Sequence, residues 1–135
     1  KSDPSDYSRI NLTDSADDIA QKVRKAKTDP DPLPSELAGL AGRPEAQNLA
    51  GIFAALNNQT VEQVLQEFGG ANFSVFKTAL VDLAVSKLAP VGMEIHKLSQ
   101  AEDFIDDVLR DGSERARVIA SKNMKAVKDI VGFVS

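Results

Sequence analysis

Basic residues near the end of the chain have a spacing that suits contact with phosphate groups. At about 100° per residue along a helix, they spread over one side and leave a second arc to mostly apolar residues. The basic residues are Arg115, Arg117, Lys122, Lys125 and Lys128, and the second arc holds Ala116, Ile119, Ala120, Asn123, Val127 and Ile130. Such a helix can follow an RNA backbone, but any solvent-exposed helix shows a similar face. Arg115, Lys122, Lys125 and Lys128 are therefore candidate phosphate contacts.

A second group of polar residues could read bases in a single-stranded loop. Base reading needs amides or guanidinium groups that reach base edges, and flat side chains on which bases stack. Arg43, Gln47 and Asn48 stand at a predicted helix start that follows a glycine-containing loop. Tyr7 and Phe133 are the aromatic residues that we expect to be exposed. As alternatives, Arg43 is an ordinary surface residue and Asn48 is buried against a neighbouring helix.

Other site chemistries lack their components. Cysteine is absent, so the chain has no thiolate metal site, and we expect His96, the single histidine, to belong to no Ser-His-Asp arrangement. The acidic run at 103–107 lacks the alternating ligands and central glycine of a calcium loop. We expect no metal site. The absence of cysteine suits a reducing compartment such as the cytoplasm.

The composition predicts one ordinary soluble domain. Its 135 residues are 42% hydrophobic and 27% charged, with a formal net charge of -4. An acidic chain is a poor general binder of nucleic acid, so any RNA contact needs a local basic face. No apolar run approaches the roughly 18 residues of a membrane span, and we expect no membrane partner.

Helix-forming residues and 3.6-residue periodicity predict an all-α bundle of about five to six helices. The first helix starts at Thr13, Asp14 or Ser15 and ends in a basic turn at Lys22 to Lys27, which is either a phosphate contact or a solvated helix end. Three prolines make residues 28–34 a linker. Pro44 opens the next helix.

The remaining helices are predicted from their capping residues. Thr60 with Gln63 forms a capping box, and a longer helix from Asn72 is kinked or ended by Pro90. A second capping box is predicted at Ser99 with Glu102. The helix that follows ends at Gly112, with four large residues facing inward: Phe104, Ile105, Val108 and Leu109. Ser113 then begins the last helix, which runs to about Val131.

Several stretches together resemble a known family. The first residues, 1–5, followed by 9–14 and 25–29, resemble the segment that begins inside the K-M-S-K-S signature of class I aminoacyl-tRNA synthetases. Three further stretches follow in the family's order, at 43–49, 87–90 and 116–120, with the closing residues 131–133. Within the class, the chain is most similar to the bacterial or organellar tryptophanyl-tRNA synthetases. The resemblance covers nearly the whole chain.

The resemblance implies roles for the first two residues. In the family, the second lysine of the signature follows the negative charge that develops on ATP phosphates, and the next serine adds a hydroxyl. By position these are Lys1 and Ser2, which are then both catalytic and ATP-binding. Without the resemblance, the same pair is an ordinary terminus with no role.

The resemblance also implies a domain division and a set of partners. Residues 1–12 would be the tail of the catalytic loop and a linker, and residues 13–135 a helical C-terminal domain that receives the tRNA anticodon arm. The parent enzyme would use L-tryptophan, ATP with Mg²⁺ and tRNA(Trp), and would form a homodimer through its catalytic domain. The fragment itself would bind no cofactor and be inactive, because the nucleotide-binding domain is missing from these residues.

Two other interpretations remain open. One is a helical protein-protein interaction module with no RNA or nucleotide role, in which the basic arc serves solubility. The other is a tyrosine-specific relative of the same fold. The stretch at 25–29 and the closing helix favour the tryptophan type.

Overall fold

A computed structural model describes residues 4–132 of the chain. Within this range the chain forms α-helices and two short 3-10 turns, without strands, so the predicted all-α class is confirmed. The α-helices are α1 (Ala16–Lys25), α2 (Pro44–Asn57), α3 (Val61–Phe68), α4 (Phe73–Ser99) and α5 (Glu102–Val131), and the 3-10 turns are Asp6–Ser8 and Leu37–Leu40. Two compact units result, the first ending at Glu94 and the second beginning at Ile95.

Local capping signals define where α1 and α3 begin. Ser15 accepts a hydrogen bond from the Asp18 backbone N–H, and the Asp18 carboxylate accepts one from the Ser15 N–H in return. Thr60 and Gln63 make the same reciprocal pair at the start of α3, as predicted. Each pair satisfies N–H groups that have no partner inside the helix.

The linker at residues 28–34 lies against the turn that joins α3 to α4. The Leu33 N–H donates to the Ala71 carbonyl over 2.9 Å, and the Gly70 N–H donates to the Leu33 carbonyl over 2.7 Å. Gly70 has a φ of +81°, which favours glycine at this turn. The Leu33 side chain is buried, so the proline-rich segment contributes to the core despite being unable to form a helix.

The core of the first unit centres on three phenylalanine rings from three helices. The ring of Phe53 on α2 lies 5.1 Å from that of Phe68 on α3 and 5.6 Å from that of Phe76 on α4. Centroid distances of 4.5–7 Å are typical of favourable aromatic pairs. Three apolar residues of α1 complete the core: Ile19, Ala20 and Val23.

α4 passes through Pro90 without ending. Two residues later, Gly92 is buried where the backbone of the N-terminal segment crosses the helix. A Cβ at this position would lie 2.8 Å from the Leu12 carbonyl oxygen. Glycine therefore allows the close approach of the two backbones.

Three predictions for the last third of the chain are wrong. Ser99 is not a helix cap, because its hydroxyl donates to the Ile95 carbonyl within the last turn of α4, and Ala101 is the residue that precedes α5. Gly112 does not end a helix, since α5 continues through it. A glycine in a helix interior costs about 1 kcal/mol relative to alanine, and the strong helix formers on both sides outweigh that cost.

The third wrong prediction concerns the apolar side of α5. Four residues that were expected to face inward are exposed, and α5 has no buried residue among those described. They are Phe104, Ile105, Val108 and Leu109. Helical periodicity predicts which residues share a face, but a face is buried only where another element covers it.

Candidate nucleic-acid interface

The first candidate, Arg43, precedes α2 and binds the linker. Its Nε and Nη2 donate to the two carboxylate oxygens of Asp29 over 3.0 and 2.5 Å. The same guanidinium donates to the backbone carbonyls of Asp31 and Pro32 over 2.9 and 3.0 Å. Arg43 is half-buried, and its guanidinium carbon lies 6.0 Å from the centre of the Phe73 ring. It therefore holds the proline-rich segment against the start of α2.

The charge of this pair is stabilised in the folded chain. The hydrogen bonds from Arg43 are the main reason that the pKa of Asp29 lies below its ordinary value. Its carboxylate also accepts a hydrogen bond from the Asp31 N–H, which closes the turn. A planar guanidinium that binds a carboxylate with two donors is a geometrically specific contact. Arg43 thus has a structural role that the sequence did not reveal.

Gln47 and Asn48 lie exposed on the first turns of α2. The alternative in which Asn48 is buried against another helix is therefore wrong. Asn48 stands at the edge of a cavity of about 320 Å³ in the first unit. An amide offers both a donor and an acceptor to a ligand at that position.

The cavity is formed by four separate segments. They are the N-terminal residues 7–10, α1, α2 and α4. Its floor is largely apolar, with Leu49, Ile52 and Leu80 among the lining residues, and its polar groups include Tyr7 and Asn48. This volume lies at the lower end of the range for small-ligand sites. No pattern in the sequence indicated the cavity, because its lining residues extend from Tyr7 to Leu88 and come together only when the first unit folds.

Tyr7 is exposed, as expected, and is held by α1. The Lys25 ammonium lies 4.3 Å from the centre of its ring and also donates to its hydroxyl over 3.1 Å. The hydroxyl in turn donates to Gln21 over 3.0 Å. The Lys25 ammonium therefore lies over one face of the ring and makes a cation–π interaction with it.

The basic end of α1 is largely engaged within the chain. Lys22 is only 7% exposed, and its ammonium lies 2.6 Å from Asp14 and 2.8 Å from Asp6. The hydrogen bond with Asp14, followed by that with Asp6, raises the pKa of Lys22. Lys27 pairs with Glu45 over 2.8 Å. These contacts favour the structural interpretation of this helix end over a phosphate site.

The four basic candidates of α5 are all exposed. Arg115, Lys122, Lys125 and Lys128 lie on one side of the helix over 13 residues, which is about 20 Å at 1.5 Å per residue. Arg115 has an acidic neighbour, Asp111, at 3.6 Å. An exposed pair of this kind is weak. The side chains of this arc are thus placed on a surface that solvent reaches.

The remaining predicted site residues cannot be placed. Lys1, Ser2 and Phe133 lie outside the described residues. Within residues 4–132, no group of three or more His, Cys, Asp or Glu side chains is arranged to hold a metal ion. Over the same range, none of the helices combines the length and the apolar character needed to span a membrane.

Comparison with known proteins identifies relatives for nearly the whole chain. It is 59% identical over 134 residues to the tryptophan-tRNA ligase of Mesorhizobium japonicum and 60% identical over 134 residues to that of Agrobacterium fabrum, with 99% of this chain covered in both. The tryptophan-tRNA ligase of Thermosynechococcus vestitus is 36% identical over 137 residues, which covers 98% of the chain. No protein-family model matches the chain.

The relatives are considerably longer than this chain. The chain spans 38% of the length of the first two ligases and 40% of the third. The matched residues include the stretches on which the resemblance to tryptophanyl-tRNA synthetases was based, since almost no residue lies outside the alignment. That resemblance is confirmed, and the chain is homologous to a part of the tryptophan-tRNA ligases.

Proposed function

We propose that this chain is the C-terminal, tRNA-binding part of a tryptophan-tRNA ligase. The parent enzyme condenses L-tryptophan with ATP to tryptophanyl-adenylate, releases pyrophosphate and transfers the amino acid to the terminal ribose of tRNA(Trp). Identity of 59–60% to two ligases over 99% of the chain is the observation that carries the proposal. The ATP enters with Mg²⁺, and both are substrates of the parent rather than ligands of this part. The absence of cysteine suits a cytoplasmic setting.

In this proposal, residues 1–12 contribute the end of the ATP-binding loop. The Lys1 ammonium and the Ser2 hydroxyl contact the phosphates, where the ammonium stabilises the charge that develops as pyrophosphate leaves. The nucleotide-binding domain and the main dimer contacts lie in the rest of the parent. Residues 1–135, of which 13–135 form the tRNA-binding domain, therefore have no aminoacylation activity alone.

The proposed tRNA contacts divide into two kinds. The exposed side of α5 with Arg115, Lys122, Lys125 and Lys128 contacts phosphates and so positions the anticodon arm. Exposed amides on the first turns of α2, at Gln47 and Asn48, contact bases. The cavity beside Asn48 is large enough for a flat apolar group, and we propose that an unstacked base enters it.

Arg43 remains part of the proposed site because it directly precedes α2, the helix that carries Gln47 and Asn48. Its guanidinium makes four hydrogen bonds with the linker, so its removal affects folding as well as binding. An Arg43 variant is therefore informative only when its stability is measured beside its affinity for tRNA. Gln47 and Asn48 are the better residues for a test of base reading.

The phosphate contacts are tested by the salt dependence of tRNA(Trp) binding to the chain. Fluorescence anisotropy of labelled tRNA would measure the affinity across a series of salt concentrations. The proteins compared would be the unmodified chain and its triple variant K122E/K125E/K128E. We expect weaker binding of all tRNAs and a shallower dependence of log K on log salt, by about one unit of slope per lost contact. Equal binding by parent and variant, or no binding by either, would refute the role of α5.

A matched pair of single variants separates local contact from net charge. Lys125→Glu and Lys87→Glu change the net charge equally, and both residues are exposed, on α5 and on α4. Only the first is expected to weaken binding. Asn48→Ala should instead reduce the preference for tRNA(Trp) over other tRNAs by about 1–3 kcal/mol, the usual value of a base contact.

The proposed role of the first residue needs the full-length ligase. Lys1→Met keeps the length of the side chain and removes its charge. We expect the rate of tryptophan-dependent pyrophosphate exchange to fall by about 100- to 1,000-fold, as when one preorganised transition-state donor is removed. An unchanged rate would refute the assignment of Lys1 without affecting the proposed tRNA contacts.

The exposed apolar arc of α5 lends some support to the alternative function as a protein interaction module. That function predicts binding of a protein partner and no salt-dependent affinity for tRNA. The salt titration therefore distinguishes it from the proposed function.

A further inference from the structure

α5 carries an extended apolar surface that its own unit leaves open. Ten large hydrophobic residues along the helix are exposed, with side-chain exposure between 37% and 84%. They are Phe104, Ile105, Val108, Leu109, Val118, Ile119, Met124, Val127, Ile130 and Val131. The helix has 30 residues and is about 45 Å long. So many exposed large apolar residues on one helix are unusual in a free monomer and indicate an interaction site.

Six of these ten residues belong to one stripe or to its flanks. Positions along the stripe are separated alternately by four and three residues, the spacing that keeps side chains on one side of a helix. They are Ile105, Leu109, Gly112, Ala116, Ile119, Asn123, Ala126 and Ile130. We call this set, together with its flanking residues Val108, Ala120 and Val127, the α5 stripe.

The width of the α5 stripe indicates what kind of surface covers it. Two helices that pair alone need only a narrow seam, with charged residues on both flanks. Here Ala120 and Val127 extend the stripe on one flank, and Val108 extends it on the other. Like charges on the second flank, at Arg115 and Lys122, would also repel their counterparts in an antiparallel pair. A wide stripe is typical of a helix that packs against the body of a globular protein.

The relatives are long enough to contain such a body. The chain spans 38% of the length of two of these ligases, so most of each lies outside it. We infer that the α5 stripe packs against that remaining part of the ligase, while the basic side of α5 stays exposed. The identity of the covering surface rests on the proposed function. The need for a cover rests on the exposed residues alone.

Small residues in the middle of the stripe fit this arrangement. Gly112, Ala116 and Ala120 lie within two turns, and a Cβ on Gly112 would meet no atom within 4 Å in the described structure. The distance between two packed helices depends on the size of the side chains at their contact. We therefore place the closest approach of the covering element near these three residues.

Two neighbouring residues of α5, one inside the stripe and one outside it, provide a matched test. Val118 is 71% exposed and Ile119 is 68% exposed, and only Ile119 belongs to the stripe. The chain contains no cysteine, so Val118→Cys and Ile119→Cys each introduce a single thiol in it. The rate of reaction with a thiol reagent, read by mass spectrometry of the α5 peptide, would be measured in the chain alone and in the full-length ligase.

We expect both thiols to react at similar rates in the chain alone. In the full-length ligase, Ile119→Cys should react at least about tenfold more slowly while Val118→Cys is unchanged, since a buried group is reached only through local opening. Equal rates in the full-length ligase would overturn the inference. Slow reaction of Ile119→Cys in the chain alone would also overturn the inference. Protection that grows with protein concentration would mean that a second copy covers the stripe, and protection independent of concentration would mean that the chain itself covers it.

A second pair of variants guards against a local effect of the thiol. Ile119→Asp should lower the melting temperature of the full-length ligase and leave that of the chain alone nearly unchanged, and Val118→Asp should change neither. If both aspartates have the same effect on the full-length ligase, the stripe is not buried there. None of these readouts uses tRNA or catalysis, so they can succeed or fail independently of the proposed tRNA contacts.

Discussion

α4 and α5 are the two longest helices described, with 27 and 30 residues, and they differ in what covers their apolar residues. α4 buries Phe73, Phe76, Leu80 and Val81 within the first unit. α5 buries none of its residues, although its apolar periodicity is the stronger and clearer of the two along its length. Amphipathic character is therefore a property of the helix, whereas burial is a property of its surroundings.

This difference separates the buried residues of α4, which stabilise the chain, from the exposed apolar residues of α5, which are available to another surface. Apolar burial supplies most of the favourable free energy of folding. Phe76 and its aromatic neighbours contribute that energy already in the chain alone. The stripe of α5 can contribute it only after a covering surface arrives, so its residues and those of α4 should respond very differently to mutation.

The largest expected effect is the loss of the central ring of the first unit. Phe76→Ala removes a fully buried side chain that contacts the rings of Phe53 and Phe68. We expect the free energy of unfolding to fall by about 3–5 kcal/mol, a large share of the stability of a domain this size. Urea denaturation followed by circular dichroism would measure it.

The matched control lies on α5. Phe104 is 55% exposed, so Phe104→Ala should change the free energy of unfolding of the chain by less than about 0.5 kcal/mol. A loss as large as that of Phe76→Ala would mean that α5 is covered within the chain, and the comparison between the two helices would be wrong.

Local signals in the sequence predicted helix starts well, because the interacting residues are neighbours. The pair Thr60 and Gln63 stands three positions apart, and its hydrogen bonds follow from the geometry of one turn. Ser99 and Glu102 show the same spacing without forming the pair, since the chain is still helical at Ser99. A capping pattern therefore predicts a start only where the preceding helix has ended.

The roles of Lys22 and Arg43 depend on residues far away in the chain and could not be predicted. Lys22 is buried because the N-terminal segment brings Asp6 and Asp14 to it. Arg43 binds Asp29 because the proline linker turns back towards α2. The amides of α2 were identified from residue type and position alone, but the cavity beside Asn48 required the packing of four segments.

A smaller loss is expected where α4 meets the N-terminal segment. Gly92→Ala places a Cβ 2.8 Å from the Leu12 carbonyl oxygen and 3.4 Å from that of Asp14. Backbone atoms cannot move aside as a flexible side chain can, so we expect a loss of about 1–3 kcal/mol despite the better helix propensity of alanine. Urea denaturation would measure it, and an increase in stability would show that the N-terminal segment is not held against α4.

The ion pairs beneath that segment predict a pH dependence. Burial opposes the ionisation of Asp14, but the hydrogen bonds from Lys22 and Asn11 outweigh it, and the pKa of Asp14 lies below its ordinary value of 3.8. A lowered folded pKa contributes stability that is present above pH 3.8 and is lost as the pH falls through the folded value. We expect the free energy of unfolding to decrease on acidification from about pH 5 to about pH 3.

Lys22→Met tests the origin of that dependence. Without the ammonium, Asp14 keeps the cost of burial and the hydrogen bonds from Asn11 but loses its partner Lys22, so the variant should be less stable at neutral pH and should lose less stability on acidification. Lys27→Met is the control, because Lys27 is largely exposed and its pair with Glu45 is screened by solvent. If the free energy of unfolding depends on pH in the same way in the unmodified chain and in Lys22→Met, the pair of Lys22 with Asp14 is not the origin of the pH dependence.

The smallest expected effect is a gain, and it lies on α5. Gly112→Ala adds a Cβ that meets no atom within 4 Å and improves helix propensity by about 0.5–1 kcal/mol. Amide hydrogen exchange in the chain alone should therefore slow by about two- to fivefold around residue 112, because local opening governs exchange in a helix without buried contacts. Gly92→Ala is expected to destabilise and Gly112→Ala to stabilise, although both glycines lie inside long helices. The difference arises because, of the two, only Gly92 has backbone atoms of another segment against it. Faster exchange in the Gly112 variant would reveal that another element contacts α5 in the chain itself. The α5 stripe would then already be covered near Gly112.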